Sequence, residues 1–186
     1  MSLTRDAAWQ LLREQLHSSN LVKHCLASEA IMRALARRFE ADEEAWGITG
    51  LLHDIDLDLL GGDLSEHGEL GAKLAAKAGL ADEYVEAIRL HKHSPSADLR
   101  HTTLQHSLAA AETITGLIVA TALVYPDKQL ASVKPKSIRK RFKEPRFAAG
   151  AHRDHILECE AIGLSLDEFI ELSLAAMQGI SQELGL

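Results

Sequence analysis

At 186 residues, with 46% hydrophobic and 25% charged side chains, the chain has ordinary globular composition and enough length for one compact domain with a real core, which excludes disordered and fibrous classes. A formal charge of −7 argues against a surface given over to nucleic acid. The longest apolar stretch, Gly116 to Val124, falls short of the roughly 20 residues of a membrane helix and Met1 to Asp6 lacks a signal-peptide pattern, so the expected compartment is the cytoplasm, with no membrane partner.

Trp9, Leu11, Leu12 and Leu16 recur at helical spacing, which predicts an amphipathic helix from about Thr4 to His17, stopped by Ser18-Ser19-Asn20. Cys25 and Cys159 have no paired spacing and read as small buried hydrophobes. Asn20 is the expected cap of a second helix reaching about Phe39, with His24, Ser28, Ile31 and Leu35 on its inward face. A third helix begins near Asp42, whose carboxylate suits the positive helix end, and runs through Ile48, Leu51 and Leu52 into the doublet His53-Asp54. After the turn Gly61-Gly62-Asp63, Ser65 is the expected cap of a helix with the stripe His67, Leu70, Gly71, Leu74 and Ala78. Asp82 opens a fifth helix, where Tyr84, Ala87, Ile88 and His91 share a face.

A longer helix from about His101 carries Leu104, Leu108, Glu112, Thr115 and Val119 on one side. Its β-branched run, Thr113 to Val124, would also suit a buried strand, but continuity with an alanine-rich segment favours helix. Pro126 ends it, and Lys128 to Arg153 is strongly basic, the one shift of composition in the chain. Ser165 and Glu168 then form a capping box for a last helix reaching about Gly185. The fold class predicted is all-α: a single-domain bundle of roughly eight helices over residues 1–186.

Four histidines and two acids, His24, His53, Asp54, His67, His91 and Glu112, each fall on the inward face or at the end of a helix. Neutral imidazoles and carboxylates are ligands for divalent transition metals, and a helical bundle supplies the rigid shell that holds them. Any one of these histidines alone reads better as a hydrogen-bonded core residue, whereas for Glu112 a salt bridge to a basic side chain stands a little behind ligation. Burying all six together costs several kcal/mol unless a metal or a dense hydrogen-bond network compensates them. Adjacent helical residues diverge by about 100°, so His53 and Asp54 serve one ion only if the helix ends there; otherwise Asp54 bridges two ions. His93, His101 and His106 are alternates near the site in sequence, and His17, His152 and His155 are expected at the surface.

The order of these residues resembles the HD-domain superfamily over about Leu21 to Tyr125. The resemblance is carried by Leu51-Leu52-His53-Asp54-Ile55, Glu66-His67-Gly68, Ala87-Ile88-Arg89-Leu90-His91 and Thr115-Gly116-Leu117-Ile118-Val119-Ala120. It is closest to small HDIG-like predicted metal-dependent phosphohydrolases. The resemblance implies a helical bundle of the HD type, with a metal-binding core about 21–125 and the basic segment and C-terminal helices in 126–186. It also implies one or two divalent transition metal ions (Fe, Mn, Zn, Ni or Mg) and a metal-activated water that attacks a phosphoester or nucleotide-like substrate. His24, His53, Asp54 and Glu112 would hold the first ion; His67 and His91 would complete a second, with Asp54 bridging.

The chain departs from the family pattern at Glu112, where the last ligand is usually Asp, and at Asp56, where many relatives have Gly. Asp54 and Asp56 are the candidate catalytic residues, the role of Asp56 being open between acid/base and helix-end acid. Some HD relatives with this six-ligand arrangement resemble the myo-inositol oxygenase type, so a mixed-valent di-iron oxygenase is the alternative enzyme class. A degenerate binding or regulatory module marked by Glu112 is the third reading. In the basic segment most charges belong to solvated faces, but Arg139, Arg146 and Arg153 are candidates for contact with a small phosphorylated substrate, because guanidinium grips phosphate in two-pronged fashion. Nucleic acid is not expected, with only Phe142 and Phe147 interleaved, and the oligomeric state, including a homo-oligomer, is open.

Overall fold

A computed structural model describes residues 3–186. The described residues form ten α-helices and no strand: α1 (Arg5–Gln15), α2 (Ser19–Arg38), α3 (Glu43–Leu52), α4 (Glu69–Lys77), α5 (Asp82–Leu90), α6 (Thr103–Leu123), α7 (Pro135–Phe142), α8 (Arg153–Ile156), α9 (Leu166–Gln178) and α10 (Ser181–Leu184). The fold is all-α, as the periodicity predicts. Local signals account for most starts: Asp42 accepts the amide of Ala45 at 3.0 Å, and Thr102–Gln105 and Ser165–Glu168 close capping boxes on α6 and α9.

Three boundaries differ from expectation. Ser18, not Asn20, caps α2, because its hydroxyl accepts the amide of Leu21 while Asn20 already lies in the first turn. Ser65 falls in a short 3-10 turn, and α4 starts only after Gly68, whose φ of +83° turns the chain into the helix. The last helix breaks after Gln178, where Gly179 has weak helix propensity, and α10 follows as a separate turn closed by left-handed Gly185.

The central helix is α6, which packs against α2, α3, α5, α7, α8 and α9. By length and composition it could cross a bilayer, but 67% of its apolar window is buried inside the fold, as in the core helix of a bundle. The β-branched run beyond Thr113 is helical; Ile114, Leu117 and Ile118 are fully buried there. α2 and α3 approach so closely that a Cβ on Gly50 would lie 2.8 Å from the Ser28 carbonyl oxygen. Glycine is therefore required at the contact that carries His24 toward His53. Both cysteines are buried, and burial pushes the Cys25 thiol far up and the Cys159 thiol to about 12, which leaves them unreactive as expected of core residues.

Candidate metal centre

α3 ends at Leu52, so His53 is the first residue past the helix and Asp54 lies in the turn that follows. This helix end lets neighbours that would diverge on a continuous helix aim at one place. His24 comes from the second turn of α2, His67 from just before α4, His91 from just after α5, and Glu112 from the middle of α6. The structure thus brings together all six side chains singled out in the sequence.

The two oxygens of Asp54 face different partners. Oδ2 lies 3.4 Å from Nε2 of both His24 and His53, and Oδ1 lies 3.4 Å from Nε2 of His67 and 3.3 Å from Nε2 of His91. His24 Nε2 is 3.1 Å from His53 Nε2 and 3.9 Å from Glu112 Oε2. The nitrogens, Asp54 and Glu112 also fall into two overlapping groups, His24–His53–Glu112 and His53–Asp54–His91, whose ligand atoms lie within 4.8 Å of one another.

The opposite ring nitrogens decide what these atoms can do. His53 Nδ1 donates to the Gly50 carbonyl at 2.8 Å, His91 Nδ1 to the Ile88 carbonyl at 2.6 Å, and His67 Nδ1 to Asp56 Oδ1 at 2.8 Å. Thr115 gives its hydroxyl proton to the Glu112 carbonyl at 2.6 Å, so its oxygen accepts from His24 Nδ1 at 2.9 Å. With every Nδ1 carrying a proton, each neutral imidazole turns the lone pair of Nε2 inward. Two such lone pairs 3.1 Å apart repel unless a cation lies between them. The inward separations of 3.1–3.4 Å also match ligands about 2.1 Å from a shared ion, which stand about 3.0–3.4 Å apart. The donor set therefore fits divalent transition metals.

The field inside the cluster favours positive charge. Burial alone would raise the Asp54 carboxyl, but the surrounding histidines hold it well below the usual carboxylate range. Burial lowers His24 and His67, yet the carboxylates opposite them leave both raised above an ordinary imidazole. Burial raises Glu112, against the pull of His91 and His24. Its Oε1 takes the Thr113 hydroxyl, so only Oε2 is turned toward His24.

Asp56 is fully buried behind His67. It accepts His67 Nδ1–H on one oxygen and the amides of Gly68 (2.8 Å) and Gly71 (2.9 Å) on the other, capping α4 from a distance. Burial raises its pKa, but these bonds hold it below the ordinary value. Three donors occupy it, so it orients His67 and does not face the open side as an acid or base. A Cβ on Gly71 would come within 3.2 Å of Asp56 Oδ2, so this close approach depends on glycine. Asp56→Asn replaces one acceptor with a donor against the Gly68 and Gly71 amides; we expect about 10–100-fold weaker metal binding in chelator competition, and unchanged affinity would contradict the orienting role.

The basic segment is placed differently from expectation. Arg153 donates to six main-chain carbonyls, those of Arg141, Phe142, Glu144, Phe147, Ala148 and Ala151, and so ties down the turn between α7 and α8 with no donor left for phosphate. Arg139 pairs with Asp167 on α9, while Arg146 is exposed on that turn. None of the three joins the histidine cluster. His155, expected at the surface, is buried, whereas His17 and His152 are exposed. His106 is bound to Glu158 at 2.7 Å, and neither it nor His93 or His101 replaces a ligand. Asp56 and Thr115, which hold His67 and His24, are detectable in sequence only as polar residues adjoining ligand positions.

A family model for the HD domain matches residues 21–123, more than half of the chain, and the matched stretch contains all six converging side chains. The chain belongs to the HD-domain family. No curated protein and no solved structure matches it. HD domains are generally metal-dependent hydrolases, and the His/Asp cluster of this member is compatible with that chemistry.

Proposed function

We propose that this HD domain is a metal-dependent phosphohydrolase acting on a small phosphoester. The observation that supports the reading is the division of Asp54: one oxygen faces the His24–His53 pair and the other the His67–His91 pair. His24, His53, Asp54 and Glu112 would hold one ion and His67, His91 and Asp54 a second. When bound, such a pair supplies Lewis acidity toward phosphoryl oxygens and activates water as a nucleophile near neutral pH. The chain's own residues prepare this. Gly50, Ile88, Asp56 and Thr115 keep the proton of each imidazole at Nδ1, and the fully buried His53 ring excludes water from the inner side. Asp54 stays ionised over the working pH range because its histidine partners depress its pKa against burial.

The test is to load the purified protein separately with Mn, Zn, Ni, Mg or Fe and follow phosphate release from a panel of phosphomonoesters and nucleotides, with an oxygen electrode on the iron-loaded sample. Metal-stimulated release that a chelator abolishes is the expected result. No release with any metal, or substrate-dependent oxygen uptake in its place, would overturn the hydrolase reading, the latter in favour of an oxygenase.

A further inference from the structure

Charge is divided unevenly over the chain. Of its 20 basic and 27 acidic residues, eight basic ones and a single acid, Glu144, fall between Lys128 and Arg146, which leaves 12 basic against 26 acidic elsewhere. The densest part of this segment is α7. Lys136, Arg139, Lys140 and Lys143 follow one another at i, i+3, i+4 and i+7 and so share one exposed helix face, while Ile138 points the other way and is fully buried. Arg139 is tied to Asp167 and Arg141 to Glu144. Lys128, Lys134, Lys136, Lys140, Lys143 and Arg146 are exposed and have no ion-pair partner among the described residues.

Beside this stripe stands an apolar tip. α6 ends in Leu123 and Val124, 50% and 54% exposed, and among the described residues they are the one pair of exposed large apolar side chains adjacent in sequence. Val124 and the exposed Pro126 line the same concavity, of about 300 Å³, as Lys140 and Arg141. Tip and stripe are joined, because the Tyr125 hydroxyl accepts the Lys134 amide at 3.3 Å and bonds the Ser137 hydroxyl at 2.7 Å. Neither the free lysines nor the tip adds to the core, so both are available to a partner.

We propose that this face, the tip of α6 with the basic side of α7, rests on an anionic lipid surface. Contact of this kind is peripheral and needs no spanning helix. Acidic headgroups attract the stripe, each lysine near the leaflet strengthening binding about fivefold, and Leu123 and Val124 add apolar surface withdrawn from water. The acidic remainder of the chain is repelled by the same leaflet, which fixes the side that faces it. Nucleic acid, the other large polyanion, is gripped best by guanidinium at its phosphates and by open aromatic faces at its bases. Here Arg139, Arg141 and Arg153 are committed to Asp167, Glu144 and main-chain carbonyls, and the rings of Phe142 and Phe147 lie under Arg153 and Arg141, at 5.8 and 4.5 Å. What stays free is mainly lysine, a point charge on a flexible stem, next to an apolar tip for which a phosphate backbone has no use.

Cosedimentation of the full chain with sucrose-loaded vesicles tests this. Phosphatidylcholine vesicles containing about 30% phosphatidylserine should carry the protein down, pure phosphatidylcholine should not, and about 1 M salt, which shortens the screening length to about 3 Å, should release most of it. Lys136→Gln, Lys140→Gln and Lys143→Gln together should weaken binding about 100-fold, and Leu123→Ser with Val124→Ser about tenfold. Lys73→Gln with Lys77→Gln, on the exposed side of α4, should change it by less than about twofold. All three variants alter exposed side chains, so each should melt within about 2 °C of wild type. The proposal is overturned by absence of binding to the phosphatidylserine vesicles, by equal binding to pure phosphatidylcholine, by an α4 variant weakened as much as the α7 variant, or by an α6-tip variant that binds like wild type. A DNA duplex that strips the protein from the vesicles, undiminished in the tip variant, would assign the face to nucleic acid in place of lipid.

Discussion

Asp54→Ala is expected to lose more than about 100-fold in metal affinity, to purify with less than a tenth of the wild-type metal, and to show phosphoester hydrolysis at background. The size of the effect follows from the sharing of its two oxygens. Substituting one histidine touches only one of the two pairs that Asp54 faces: His24→Ala spares the His67–His91 pair, and His67→Ala spares the His24–His53 pair. Asp54 faces both pairs, and it is the anion closest to all four Nε2 atoms, at 3.3–3.4 Å. Without it, four converging imidazole lone pairs remain with only Glu112 to balance a cation, and Glu112 approaches His24 no closer than 3.9 Å. Circular dichroism should show an intact helical fold, because the core apolar residues do not depend on this carboxylate. Elemental analysis of the dialysed variant is the deciding measurement, and unchanged metal content would defeat the assignment of Asp54 as the shared ligand.

What was legible in the sequence was local. Helical spacing alone turned His24 and Glu112 inward, and Asp42 and Ser165 marked helix starts through their caps. The ambiguity over His53 and Asp54 was resolved by where α3 stops, and Leu52 carries no stop signal such as glycine or proline after it. The unread parts are pairings between distant positions. Asp56 meets amides 12 and 15 residues further on, and only the turn at Gly68 brings them back to it. Arg153 looked like a phosphate-binding guanidinium because periodicity says nothing about which carbonyls a loop will gather around it. The same holds for Arg100 and Glu158, two charges 58 residues apart that neither composition nor spacing connects.

Arg100 and Glu158 carry the second large expected effect. Both are buried, at 4% and 7% exposure, in a two-pronged ion pair: Arg100 Nε donates to Glu158 Oε2 at 2.8 Å, and Nη2 to Oε1. His106 Nδ1 joins the same carboxylate, and Arg100 Nη1 reaches the carbonyls of Leu90 at 2.6 Å and His91 at 3.3 Å. Glu158→Leu leaves the guanidinium buried without its counter-charge, for a cost of about 3–5 kcal/mol, or roughly 6–20 °C in melting temperature. Arg100→Lys also fails, since one ammonium cannot serve a carboxylate and two carbonyls in the planar fork that guanidinium provides. The pair does more than stabilise, because the carbonyls it grips belong to the end of α5 that aims His91 at Asp54. Replacing both partners, Arg100→Met with Glu158→Leu, removes the buried charges together and should recover most of the lost stability. It should not restore the grip on His91, so the double variant is expected to melt near wild type yet bind the His67–His91 ion at least tenfold more weakly, with the His24–His53 position retained. Stability and metal content returning together in the double variant would show that Arg100 supports the fold alone; recovery of the first without the second identifies it as the residue that positions His91.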